Sequence, residues 1–136
     1  MNVLVVEPGY LPYEKEINGL SEMQELVGGH IQAIYPFQET VALVCNENGI
    51  SEQLEFNRSI PERSYGGIWG TFFLCGLGEE DFTSLTPEQI KTYTDRFKKA
   101  EILIVLNGSK PFTIRVNADP KYPPGRPKHP RKPPTR

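Results

Sequence analysis

Apolar residues fall along this chain in short alternating or continuous runs, punctuated by glycine, proline and asparagine, and only twice at helical spacing. "NVLVVE", from Asn2, is a β-branched run closed by the Pro8-Gly9 turn signal, and predicts a strand. In "PYEKEI", Tyr13, Lys15 and Ile17 alternate with Glu14 and Glu16, which predicts a second strand with one wet face. "NGLSEMQELVGG" carries Leu20, Met23, Leu26 and Val27 at helical spacing. Asn18 or Ser21 can cap that helix, and Gly28-Gly29 can end it. "IQAIY" is a further strand-like run, stopped by Pro36.

The stretch "ETVALVCNENGISEQLEFNR" predicts a hairpin about Asn48-Gly49, a pair that tolerates positive φ at both central turn positions. A two-residue loop there sets Leu43 opposite Leu54, Val41 opposite Phe56 and Glu39 opposite Arg58. "GGIWGTFFLCGLG" predicts one glycine-bounded strand, apolar on both faces and so central in a sheet. The second helix is the best specified element. Thr86 is its N-cap, Pro87 its first residue, and Gln89 completes a capping box. Leu85 and Ile90 are spaced for a hydrophobic staple, and Ile90, Tyr93 and Phe97 form the buried stripe. "EILIVL", the "NGSKP" turn and "FTIRV" predict a closing hairpin. The order β-β-α-β-β-β-β-α-β-β argues for an α+β fold: a mostly antiparallel sheet built of hairpins, with two helices packed on one face.

Composition adds a boundary. The chain has 136 residues, enough for one modest core, with 38% hydrophobic and 24% charged residues. From Asp119 to Arg136 six basic residues stand against one acid, so this end carries +5 and, in a chain of net −2, residues 1–118 carry −7. The predicted organisation is a single domain over 1–118 and a basic, proline-rich tail over 119–136. No basic leader precedes "VLVV", and "ILIVL" is far short of the ~20 residues of a spanning helix. The cytoplasm is the expected location, with no membrane contact. Cys45 and Cys75 each end an apolar run and read as small buried hydrophobes rather than redox or nucleophilic thiols. His30 and His129 have no cysteine cluster beside them, so no metal ligand set is expected, and no cofactor.

From Met1 to about Phe97 the chain resembles the domain of unknown function 3846 family. The residues that carry the resemblance are "VLVVEPG", "YEKEI", "MQELVGG", "YPF", "VALVCNENG", "FNR" and "GTFFLCGLGEEDFTSLT" with the helix after it. The resemblance brings no catalytic residue or ligand. It implies a setting, that of small accessory proteins of bacteriophages, conjugative elements and Gram-positive genomes, often non-enzymatic and host-directed.

Candidate binding residues cluster in and after "FNR". Arg58 can grip a phosphate or carboxylate bidentately, with Asn57 beside it, although a cross-strand pair with Glu39 explains it as well. Arg63 is a second gripping group, and Arg115 a third. Tyr65 and Trp69 suit either an aromatic contact patch or the core, with Trp69 favouring the core. "GGIWG" and "GLGEED" lack the spacing of a phosphate loop, and Glu79, Glu80 and Asp81 would repel a phosphate. Those acids have no activating His or Lys nearby, so no catalytic residue is assigned and a non-enzymatic protein is the expectation.

In the tail, prolines at 124, 127, 130 and 133 match the three-residue turn of polyproline II, leaving Arg126, Lys128, Arg131 and Lys132 on the other edges. A solubilising end is the first reading, an arm making weak, salt-dependent contact with nucleic acid or another acidic partner the second, and a proline-motif ligand the third. The expected function is that of a phage or mobile-element accessory protein binding a host protein, with interference in a bacterial defence system as one version. The alternatives are a small-anion or nucleotide-binding module gripping through Arg58, Arg63 and Arg115, and a DNA-associated protein acting through its tail.

Overall fold

In the computed structural model, residues 1–121 are described. The contacts expected at Arg126, Lys128, Arg131 and Lys132 lie outside the described residues. The centre is an antiparallel sheet. Its path runs β2 (Tyr13–Glu16), β1 (Asn2–Val6), β7 (Phe72–Leu77), β4 (Val41–Asn46), β3 (Ile31–Ile34), and the short β8 (Phe82–Thr83) extends one end of β7. Register aligns Leu4, Leu74 and Leu43 in one row and Val5, Phe73 and Val44 in the next. Successive rows point to opposite faces, so both faces of the three inner strands are apolar and buried. A fully buried side chain of this kind contributes about 1.5–3 kcal/mol, which makes this sheet the main source of stability.

Each face has its own cover. Helix α1 (Gly19–Val27) lays Met23 and Val27 on the side of Val3, Val5, Val44 and Phe73. Helix α2 (Pro87–Arg96), with Leu85 and Phe97, covers the side of Leu4, Val6, Leu43 and Leu74. The helices therefore sit on opposite faces, not on one as the sequence suggested. A sheet apolar on both sides needs two covers. In α1, Leu20 is 56% exposed and does not join the buried stripe. The α2 cap forms as expected: Thr86 Oγ1 accepts from the Gln89 backbone N–H, and Gln89 Oε1 accepts from that of Thr86.

Two small sheets flank the α2 side. β5 (Phe56–Ile60) pairs with β6 (Gly66–Trp69), contributing Ile60 and Ile68 to the core. β9 (Lys99–Ile104) pairs with β10 (Phe112–Asn117) as the expected last hairpin. β9 lies against β5, where the Ser59 hydroxyl donates to Glu101 Oε1 at 2.6 Å.

The Asn48-Gly49 hairpin does not form. β4 is taken on both edges by β3 and β7, and β5 pairs with β6. The intervening segment is instead a compact coil in which Asn46 Oδ1 accepts from the Asn48 backbone N–H and Leu54 N–H donates to Gly49 O. Gly49 does not have a positive φ. A Cβ there would stand 2.5 Å from the carbonyl oxygen of Trp69, so this glycine permits a close approach rather than a turn. The strand expected over "GGIWGTFFLC" is also broken, because Gly70 at φ 90° separates β6 from β7.

Residues 119–121, assigned to the tail by charge, are tied to the body. Leu11 N–H donates to Asp119 O at 2.8 Å and Asp119 N–H to Gly9 O at 2.9 Å. The Lys121 ammonium pairs with Glu7 at 2.8 Å and lies 4.3 Å from the centre of the Tyr10 ring.

Candidate functional site

The candidates Asn57 and Arg58 are both fully buried. The cause is local. Phe56 pairs with Trp69 and Arg58 with Ile68, so Asn57 is an extra residue, a bulge that re-aims the side chains of this stretch. Asn57 Nδ2 donates to Val6 O and Gly70 O, each at 2.9 Å. Its Oδ1 accepts from Arg58 Nη1 at 2.8 Å. Arg58 Nη2 donates to Tyr10 O and Phe97 O, both at 2.9 Å. Phe97 closes α2, so the guanidinium also meets the negative end of that helix. The pair is an internal clamp on the end of β1, the loop after it, the β6–β7 junction and the end of α2. The expected Glu39–Arg58 pairing is absent, since Glu39 accepts instead from the Tyr93 hydroxyl at 2.6 Å.

The other two candidates have the opposite placement. Pro61 leads into a tight turn over Glu62–Ser64, and Arg63 and Ser64 both hold positive φ, 53° and 59°. Left-handed backbone costs a non-glycine residue roughly 1–2 kcal/mol, and two in succession store strain at the surface. Ser64 N–H donates to Pro61 O and Tyr65 N–H to Glu62 O, which holds the turn shut. Arg63 and Tyr65 point outward, Tyr65 with 40% of its surface exposed.

Beside the turn is a cavity of about 600 Å³, lined by Phe37, Glu39, Glu62, Arg63, Tyr93 and Arg96 among others. Arg96 forms a bidentate pair with Glu62, and its guanidinium carbon lies 5.5 Å from the Phe37 ring centre and 5.0 Å from that of Phe97. The hydrogen bond from Arg96 holds the Glu62 carboxyl below the usual glutamate range, against the opposing effect of burial. Burial, then the bond to Glu39, pushes the Tyr93 phenol well above its ordinary value. At neutral pH the pocket thus holds a charged glutamate and a neutral phenol, both engaged.

The structure thus separates the four candidates: Asn57 and Arg58 face inward, Arg63 and Tyr65 outward. Arg115 stands on β10 opposite Glu101, on a different element again. Trp69 is half-buried, edge-on to Phe56 at 5.1 Å. Glu79, Glu80 and Asp81 are an exposed turn, in which Asp81 Oδ1 accepts from Phe82 N–H. Both thiols are buried, and burial pushes Cys45 up to about 11 and Cys75 up to about 12. Sequence reasoning placed Tyr93 in a buried stripe and did not select Phe37, Glu62 or Arg96. Tyr93 and Arg96 share a helix face by their i, i+3 spacing, which was a usable signal. The Glu62–Arg96 pair spans 34 residues and leaves no local pattern.

Among the described residues no helix is long and apolar enough to cross a membrane. No curated protein and no solved structure was found to match the chain. A family model does match it, over residues 1–98, and the chain belongs to that family, described as domain of unknown function (DUF3846). The match takes in the clamp, the strained turn and the whole of α2. It stops before the β9–β10 hairpin.

Proposed function

We propose that this chain is a non-enzymatic binding protein that holds a partner protein at the Glu62–Tyr65 turn. One observation carries the reading: two successive non-glycine residues, Arg63 and Ser64, are kept in left-handed backbone at an exposed turn beside a cavity. Strain of that kind persists where the surroundings enforce it, and it gathers at binding sites. The turn presents an arginine and a tyrosine, two side chains enriched where protein interfaces concentrate their binding energy. The aromatic floor of the cavity, braced by Arg96, suits an inserted side chain better than it suits a reaction. In the phage or mobile-element setting that the sequence resemblance implies, the partner is a host protein, and blocking a defence component is one form the contact would take.

The test is capture of the tagged protein from lysate of a bacterial host, followed by native mass spectrometry with and without nuclease. The expected result is an added mass of protein size, insensitive to nuclease and lost in Arg63→Ala/Tyr65→Ala. An added mass of hundreds of daltons would replace this reading with the small-anion module. Nuclease-sensitive material would replace it with a nucleic-acid role for the basic tail. Capture unchanged in the double variant would remove the turn as the site.

A further inference from the structure

On β9 and β10, residues 100, 102 and 104 share one face of the hairpin with their partners 116, 114 and 112. That face reads Ala, Ile, Ile, Val, Ile, Phe, with no charge and no hydrogen-bonding side chain. The opposite face carries Lys99, Glu101, Leu103, Thr113, Arg115 and Asn117, mostly polar or charged. Burial on the apolar face is graded. Ala100, at the base, is 2% exposed, whereas Ile102, Phe112 and Ile114 are 44–45% exposed and Val105 and Leu106, beyond the strand, 69% and 54%. Ile104 and Val116 are half-buried, so Ile102, Phe112 and Ile114 are the exposed part of the face.

We propose that this face is an interface with a second copy of the same chain, the two hairpins packing apolar face to apolar face. Three observations favour a second copy over another partner. First, homodimer contacts are the apolar, charge-depleted class of interface, whereas non-obligate contacts are no more apolar than the remaining surface. This face has no charge to match in a partner and none to repel its own copy. Second, β9 and β10 form a sheet of two strands, marginal alone, and a facing copy supplies the missing layer. Third, the area is sufficient. Ile102, Phe112 and Ile114 on the face, with Val105 and Leu106 at the turn beyond it, offer on the order of 400–500 Å² per copy. Two copies together approach the floor of about 1,000 Å² for a specific interface, so the dimer is a weak, concentration-dependent one.

Sedimentation velocity of the full chain, from low to high micromolar concentration, tests this. A monomer–dimer equilibrium is expected. Ile114→Arg adds a guanidinium to each facing surface and should remove the dimer over the whole range, with an unchanged circular dichroism spectrum. Thr113→Arg adds the same charge one residue away on the other face and should leave the equilibrium as it was. A wild type that stays monomeric throughout overturns the proposal, whether the face is then covered by residues 122–136 or by nothing. So does a dimer that survives Ile114→Arg, because its contact lies elsewhere. A dimer that shields the outer backbone amides of β10 from hydrogen exchange overturns it too, since that is edge-to-edge pairing.

Discussion

Arg58 and Arg63 stand five positions apart, and the fold uses them in opposite ways. Arg58 is sealed inside, its fork divided between Asn57 and two main-chain carbonyls. Arg63 stands outside on backbone that an arginine adopts only under constraint. A bulge directs the first inward and a left-handed turn directs the second outward. The difference shows that a guanidinium's role follows from where the main chain aims it. Stability is invested at Arg58 and given up at Arg63.

Breaking the clamp has the largest expected effect. Arg58→Met keeps the apolar stem but leaves Asn57 Oδ1, Tyr10 O and Phe97 O without this donor, and should cost about 3–4 kcal/mol in urea unfolding. Arg58→Lys keeps the charge without the fork and should recover only part of that loss. Next, Asn57→Ala strands Val6 O and Gly70 O and should cost about 2 kcal/mol by the same measurement. If both variants are neutral, the two residues are not a clamp and the contrast with Arg63 fails.

A third test concerns acid. The Glu62 carboxyl is held below its unfolded range, chiefly by the hydrogen bond from Arg96. A depressed carboxylate contributes stability that is present in full above its unfolded range and lost as pH falls through its folded one. Thermal unfolding of the wild type should therefore weaken with acid below the ordinary glutamate range more steeply than that of Glu62→Gln. Identical profiles would detach Glu62 from the stability of the turn. The smallest effect is the most telling. Arg63→Gly relieves left-handed strain while loosening the unfolded chain, so stability should hold or rise by up to about 1 kcal/mol as partner capture falls. A clear loss of stability would make Arg63 a structural residue like Arg58.

Much of this fold was legible because local chemistry and tertiary packing agree. The Thr86–Gln89 box, the Leu85–Ile90 staple and the Tyr93–Phe97 stripe specify α2 without reference to the remaining chain. The misreadings arose where a local signal competed with a distant one. Asn48-Gly49 with matching leucines is a sound hairpin pattern, but it competed with a stronger fact. Every residue of β4 is buried, which marks a strand with neighbours on both edges and none to spare for β5. The same two-sided burial placed the helices on opposite faces. Of the candidate site, Arg63 and Tyr65 were selected by residue type alone. The cavity beside them was not, because loop 36–39, the 62–63 turn and α2 meet only after the chain has folded.

The bridge between Tyr10 and Asp119 has a consequence for how the molecule is made. It joins positions near the two ends of the described chain, and Lys121 reaches Glu7 across 114 residues. Loop-closure entropy rises with the length enclosed, so contacts of this span form late, after the sheet has condensed. During synthesis the loop that holds Tyr10 emerges well before Asp119, its partner in the bridge. The rim around Glu7 and Tyr10 thus stays unlatched until residue 121 has left the exit tunnel.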